Sequence, residues 1–391
     1  MKQNASLSMV HEIMTEFAEL TGLSPARDVP RRYLWTDAFA VCNFLELYRQ
    51  TGDVRYRNLA LLLVGQVHNV LGRHRKDDSR TGWISGLDEK EGEMRPTKGG
   101  LRIGKDMNER GTSEHFDENL EWDRDGQYYH YLTKWMHALN RVSRVTGDST
   151  YNTWAIELAK TAHAGFTYVP SPGEQKCMYW KMSIELSRPL VHSMGQHDPL
   201  DGFITCNQLQ LTPANASEKS MWSDLNGEIA DMAGICKEKS WATDDPLGIG
   251  GLLCDAYKVA QLIIKENFEQ TELMKTLLES SQVGLASYAR TNSLDLPADY
   301  RLAFRELGLS IGMRAIERLH GLIEGNSNLF NKKYSLNSLL ETLMQYAPLI
   351  ETIEKFWLER TSRKANSWMD HQDINMVMLA TSLAPDGFLT L

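Results

Sequence analysis

The stretch "LYRQTGDVRYRNLALLL", Leu47 to Leu63, recurs in its chemistry as "VSRVTGDSTYNTWAIEL", Val142 to Leu158. Each copy carries an Arg, then Thr-Gly-Asp, then a Tyr, then an apolar helical pattern containing Ala. Gly52 and Gly147 stand where a left-handed residue ends a helix. Asp53 and Asp148 stand where an acid caps the next helix. Tyr56 and Tyr151 fall one turn further on, where a ring can pack across the corner. Each copy reads as a tight helical hairpin, and a hairpin used twice points to an architecture of helix pairs.

Outward from these two corners, apolar residues recur at helical spacing along almost the whole chain, and alternating strand patterns are scarce. The periodicity predicts helices near 8–21, 35–51, 54–72, 127–146, 149–166, 178–193, 220–238, 247–266, 269–290, 299–324, 335–360 and 371–383. No Pro/Gly/Ser-rich linker separates them, so the expectation is one all-α domain over 1–391. The connections are unequal. Residues 74–125 and 195–219 form long loops and 291–298 a short one, which predicts a structural end and a functional end, since long ordered loops tend to carry function.

The composition is that of a globular protein: 391 residues, 42% hydrophobic, 24% charged, 28 Gly and 12 Pro. A formal net charge of −9 argues against nucleic acid or an anionic membrane as partner. Five cysteines without CxxC spacing, three of them (Cys42, Cys236, Cys254) in apolar helical patterns, predict reduced buried thiols in a cytoplasmic protein. The N-terminal "MKQNASLSMVHEIM" lacks the apolar core of a signal peptide, and no run approaches the roughly eighteen apolar residues of a membrane span.

If helices alternate between inner and outer positions, every second one is reached from the loop end. The openings of those helices are "RRYLWTD" (31–37), "EWDRDGQYYHY" (121–131), "KCMYWKMSIE" (176–185), "WATDDPLG" (241–248), "LDLPADYR" (294–301) and "NSWMDHQD" (366–373). Every one contains an acid and an aromatic residue. Singly, an acid favours a helix N-terminus and an aromatic staples it. Together they describe a polar-aromatic pocket suited to sugars, whose C–H faces stack on Trp and Tyr and whose hydroxyls bind carboxylates. A carboxyl flanked by aromatics loses solvation and shifts toward a useful general acid.

With this arrangement the chain resembles the six-hairpin glycosidase superfamily, and the resemblance implies an (α/α)6 barrel (toroid) of about six helical hairpins. Asp125-Gly126-Gln127-Tyr128 before a helix is similar to the D-G-x-Y element of unsaturated-uronyl hydrolases, in which the Asp is the general acid/base. The Arg-Gly-Asn-Gly-Trp-type segment of those enzymes is missing; Gly82-Trp83 alone hints at it. The implied activity is that of a carbohydrate-active, glycoside hydrolase-like enzyme on a small oligosaccharide or uronide. Asp125 is then the proton donor and Asp37 the second carboxylate. Trp35, Trp122, Tyr128, Trp180, Trp241 and Trp368 are the expected stacking residues, with Asp370 and His371 beside the last. Arg301 or Arg32 is the expected contact for a substrate carboxylate.

Other segments point less clearly. Glu185, near Lys181 and Arg188, reads as an ion-paired acid as readily as a catalytic one. "HSMGQHDPLDGF" offers His192, His197 and Asp198, but their spacing fits no helical zinc pair, so no metal is expected. "LGIGGLL" (247–253) has no strand before it and reads as close helix packing rather than a phosphate loop, and no cofactor is expected. A non-catalytic helical toroid that binds a ligand or protein partner, and a polysaccharide lyase-type enzyme, are the alternative readings.

Overall fold

The structure, a computed structural model, describes residues 2–212, 224–266, 268–330 and 336–391, and these are mostly helical. Two compact units divide the chain, residues 18–238 and residues 1–17 with 239–391. Helix α1 (Lys2–Leu20) opens the chain.

In the 18–238 unit, α2 (Leu34–Thr51) and α3 (Val54–Leu71) make the first hairpin. The connection after α3 folds around two short helices, α4 (Glu89–Met94) and α5 (Glu118–Asp123). Strand β1 (Gln127–Tyr128) leads into α6 (Tyr129–Thr146), which pairs with α7 (Thr150–Phe166). Both Thr-Gly-Asp corners use the same bonds. Thr51 Oγ1 donates to the Leu47 carbonyl (2.6 Å) and accepts from the Asp53 amide (3.1 Å). Thr146 Oγ1 does the same with Val142 (2.8 Å) and Asp148 (3.2 Å). The Asp53 and Asp148 carboxylates accept from the amides of Arg55 and Thr150, each at 3.0 Å. Gly52 (φ 70°) and Gly147 (φ 76°) are left-handed. The two copies share these bonds, and the first adds an ion pair from the Arg55 guanidinium to Asp53 (2.6 Å).

Residues 178–193 are not a helix. Strand β2 (Thr167–Tyr168) pairs with β3 (Cys177–Met178), and β4 (Lys181–Met182) lies antiparallel between β1 and β5 (Pro189–Val191). Pro189 cannot donate within a helix and would clash with the preceding turn. Ser183 Oγ accepts from the amides of Ser187 (3.1 Å) and Arg188 (3.2 Å), and Leu186 takes φ 56°, which turns the chain back into β5. Conversely, the expected loop 195–219 contains α8 (Asp198–Gln210), with Pro199 in its first turn; residues 213–219 lie outside the described residues. Helix α9 (Asn226–Cys236) stands within the expected 220–238, of which 220–223 also lie outside them. Helix α6 packs on α2 on one side and α8 on the other.

In the other unit, α10 (Pro246–Glu266) packs on α11 (Thr271–Tyr288) and α12 (Ala303–Gly325). Among the described residues it is the one helix long and apolar enough to cross a membrane, but 78% of its apolar window is buried inside the protein, as befits a core helix. After α13 (Ser327–Phe330), the expected 335–360 helix is two, α14 (Leu336–Met344) and α15 (Pro348–Leu358), because Pro348 starts a helix but cannot continue one; residue 335 lies outside the described residues. Helices α16 (Asn366–Met369), α17 (Gln372–Leu383) and α18 (Asp386–Leu389) follow. Helix α12 packs on α15 and α17. Cys42, Cys206 and Cys254 are buried thiols, while Cys177 and Cys236 are half-buried.

Candidate functional site

The Asp-Gly-Gln-Tyr segment is buried and each residue ties down a different piece of chain. Asp125 is fully buried. Its Oδ1 accepts from the amides of Gly104 and Gly126, each at 3.0 Å, and its Oδ2 is ion-paired to Arg102, with Arg75 at 3.6 Å. Arg102 in turn donates to the carbonyls of Arg73 (2.8 Å) and Val70 (2.7 Å). Gly126 has φ 144°, and a Cβ there would sit 2.7 Å from the Met182 carbonyl oxygen, so the strand pairing of β1 with β4 requires glycine. Gln127 accepts from the Leu101 amide (2.9 Å) and donates to the carbonyls of Gly99 (3.0 Å) and Ile184 (2.6 Å). Asp37 is likewise enclosed, accepting from Arg32 Nη1 (3.1 Å) and the Tyr33 amide (2.9 Å), while Arg32 Nη2 donates to the Thr21 carbonyl (2.7 Å). Both carboxylates pair with buried arginines and accept from backbone amides.

A different group of side chains gathers where α2, α6 and α8 begin. Trp35 lies in the first turn of α2, His130 and Tyr131 in the first turn of α6, and Asp198 opens α8; Trp180 stands between β3 and β4. Ring centroids lie 5.3 Å apart for Trp35–Tyr131, 6.0 Å for Trp35–His130 and 5.6 Å for Tyr128–Trp180. His130 and Trp180 are near parallel at 6.4 Å. Trp122, half-exposed, meets the Trp180 ring edge-on at 5.0 Å. The Tyr33 and Tyr131 hydroxyls are 2.7 Å apart. One turn deeper, Lys134 binds both oxygens of Asp201 (2.9 and 2.8 Å) and lies 5.8 Å from the Trp35 ring.

His130 Nδ1 stands 3.5 Å from Asp198 Oδ1, too far or misdirected for a hydrogen bond. Among the described residues, His130 Nδ1, Asp198 Oδ2 and Trp35 Nε1 are buried polar atoms with no hydrogen-bond partner. Each such atom costs about 1–3 kcal/mol, and few are tolerated in native proteins. An imidazole beside a carboxylate can carry a proton, and an indole N–H can orient an acceptor. Burial pushes the Tyr33 phenol up to about 12, and the Asp125 charge adds to this against the Tyr131 hydrogen bond. Burial also raises Tyr131 and Tyr128. All three phenols therefore stay protonated donors at neutral pH. Lys105, 5.6 Å from the Tyr33 ring, is lowered by burial against the pull of Asp123 and Asp125.

The remaining candidates are scattered by comparison. Glu185 is ion-paired to Arg80 (3.2 Å) on the surface. His192 packs edge-on against Tyr179, and among the described residues no three of His, Cys, Asp or Glu are grouped as metal ligands would be. In the other unit, Arg301 forks onto Glu306 (2.8 and 2.6 Å), and Glu306 also accepts from Trp357 Nε1 (2.8 Å). Trp368 stacks on Trp357 at 5.7 Å, so Arg301 and Trp368 share one buried cation-aromatic ladder. Trp241 is buried. Asp370 and His371 are exposed at the start of α17, with His371 edge-on to Phe304 at 5.6 Å.

No family profile matches the chain, and no curated protein matches it in sequence. In structure it is similar to a sugar epimerase from a ruminal bacterium, at 9% identity over 96% of this chain and 98% of that one, with a TM-score of 0.49.

His130, Lys134, Asp198 and Asp201 were not among the residues expected at a sugar site. Their spacing carries the signal: His130 and Lys134 are one turn apart on α6, and Asp198 and Asp201 one turn apart on α8. Reading 195–219 as loop hides the second pair. Asp198-Pro199 is nevertheless a sound helix start, with an acid and a proline in the first turn.

Proposed function

We propose that residues 18–238 carry a carbohydrate-processing site in which His130 and Asp198 move a proton and Trp35, Tyr128 and Trp180 stack on the sugar. The three buried, partnerless polar atoms beside aromatic faces are what support this reading most. Sugar hydroxyls satisfy all three: one accepts from Trp35 Nε1, one donates to Asp198 Oδ2, and one exchanges its proton with His130. Asp198, 3.5 Å from His130 Nδ1, stabilises the imidazolium by its charge as it forms. Of the hydrogen-bonded Tyr33 and Tyr131 hydroxyls, one donates to the other and the other is free to donate to the sugar.

In this reading Asp125 and Asp37 are positioning residues that hold the 74–125 connection and the start of α2. A glycoside hydrolase-like reaction then draws its acid from the His130–Asp198 pair. The substrate is a small oligosaccharide or uronide. The (α/α)6 arrangement of the hairpins, a reaction without cofactor and a cytoplasmic setting belong to the same proposal.

The test uses purified protein with reducing disaccharides, nitrophenyl glycosides and unsaturated uronides in D2O, with products read by NMR. Turnover of one of these classes is expected, and His130→Ala should lower kcat/KM about a hundred- to ten-thousandfold. Asp125→Asn should instead lower Tm. A His130→Ala enzyme as active as wild type removes the proposed chemistry. No turnover, together with no sugar-dependent rise in Tm, favours a helical scaffold that binds a protein partner.

A further inference from the structure

The unit of residues 1–17 and 239–391 contains a cavity of about 180 Å³ between α1 and the α16–α17 corner. Ile13, Met376 and Leu379 form an apolar floor, Trp368 a wall, and the half-exposed Met369 the mouth. A dry cavity of about 150 Å³ takes up benzene, so a branched aliphatic side chain fits here with room for its head group. Methionine walls adapt to such a chain.

The charged groups of the cavity are Arg363 and Glu16, and Gln372 adds a neutral amide to its lining. Arg363 is fixed at one end only, its Nε donating to the Trp357 carbonyl (2.7 Å) and its guanidinium lying 5.5 Å from the Trp368 ring. Among the described residues no carboxylate forms an ion pair with it; Glu16 and Arg360 act on it only through space. Burial lowers its pKa, the mark of a cation short of compensation. A half-buried guanidinium held by Nε presents its remaining fork to whatever enters, and that fork fits a carboxylate. Glu16, on the same cavity but exposed, offers the opposite charge to the other end of a zwitterion.

We infer that this cavity binds a small aliphatic α-amino acid, with its carboxylate on Arg363, its ammonium toward Glu16 and its side chain on Met376 and Leu379. The inference stands apart from the sugar site and does not depend on it.

Isothermal titration of the full chain with L-leucine should show saturable binding. Isocaproate, which keeps the tail and carboxylate but lacks the ammonium, should bind more weakly. Arg363→Gln should weaken leucine at least about tenfold by removing the bidentate contact. Glu16→Gln should weaken leucine and should not weaken isocaproate, since it removes a negative charge that already acts on Arg363. Met369→Trp, which blocks the mouth from an exposed position and leaves the Arg363 anchor intact, should abolish both. Absence of leucine binding at millimolar concentration overturns the inference, as does binding that survives both Arg363→Gln and Met369→Trp.

Discussion

His68 shows how one buried side chain can set the acid limb of stability. It lies between the Trp135 and Trp154 rings, 5.7 and 5.1 Å away, and its Nε2 accepts from Trp135 Nε1 at 3.2 Å. Burial alone lowers its pKa from 6.5 to about 3, because the cation would lose its water and gain no counter-charge. Between those two values the unfolded chain holds a proton that the folded chain does not. Stability from this group is therefore fully present above 6.5 and is lost as pH falls toward 3. Going from pH 7 to 5, the loss is about 2 kcal/mol, at a limiting slope of about 1.4 kcal/mol per pH unit. His68→Gln keeps an acceptor for Trp135 without titrating, so the gap in unfolding free energy between pH 7 and 5 should narrow by about that amount in urea titrations. An unchanged gap would show that His68 takes up its proton equally in both states. Asp125 teaches a related lesson. Its neighbours in sequence mark it as special, but only the approach of Arg102 and Arg75 reveals that its charge is already engaged. A carboxylate that anchors backbone and one that meets a substrate look alike until their partners are in view.

At the scale of elements, the Thr-Gly-Asp corner is legible because everything it needs is local. The threonine, glycine and aspartate bond to residues within four positions of themselves, and both copies share the same threonine and amide-capping bonds. A Cβ added at Gly52 or Gly147 meets nothing within 4 Å, so the glycines are required by their left-handed backbone and not by packing. Gly147→Ala should then cost about 1–2 kcal/mol. Gly147→Asn should cost less, since asparagine tolerates that conformation better. Thermal melts of the two variants check the order, and an alanine variant as stable as wild type would mean the corner relaxes freely. The 178–193 segment fails for the opposite reason. One of the two strands that β4 pairs with is β1, more than fifty residues earlier, and strands of two or three residues leave too short a pattern to read. The proposed site inherits that failure, because α8, the element that carries Asp198, hides behind the misread loop.

At the scale of the whole chain, long-range closure is what local pattern cannot supply. Ser6 Oγ donates to the Leu383 carbonyl at 3.0 Å across 377 residues of sequence. Ile13 meets Met376 and Leu379 at the cavity, and Glu16 faces Arg363, so α1 runs antiparallel to α17. Val10, Ile13, Met14 and Phe17 are all buried. Burying four such side chains contributes a free energy of the same order as the whole net stability of a domain, about 5–15 kcal/mol. The 239–391 part of its unit therefore needs the first helix as a core element, and contacts of such separation form late because loop closure precedes their reward. Deleting residues 2–17 should raise hydrogen exchange throughout α17 and α18 above the wild-type level, and should abolish leucine-dependent heats in the same preparation. If α17 exchanges no faster in the truncated chain, α1 is an ornament on a core that closes without it, and the cavity would have to be built by α16 and α17 alone.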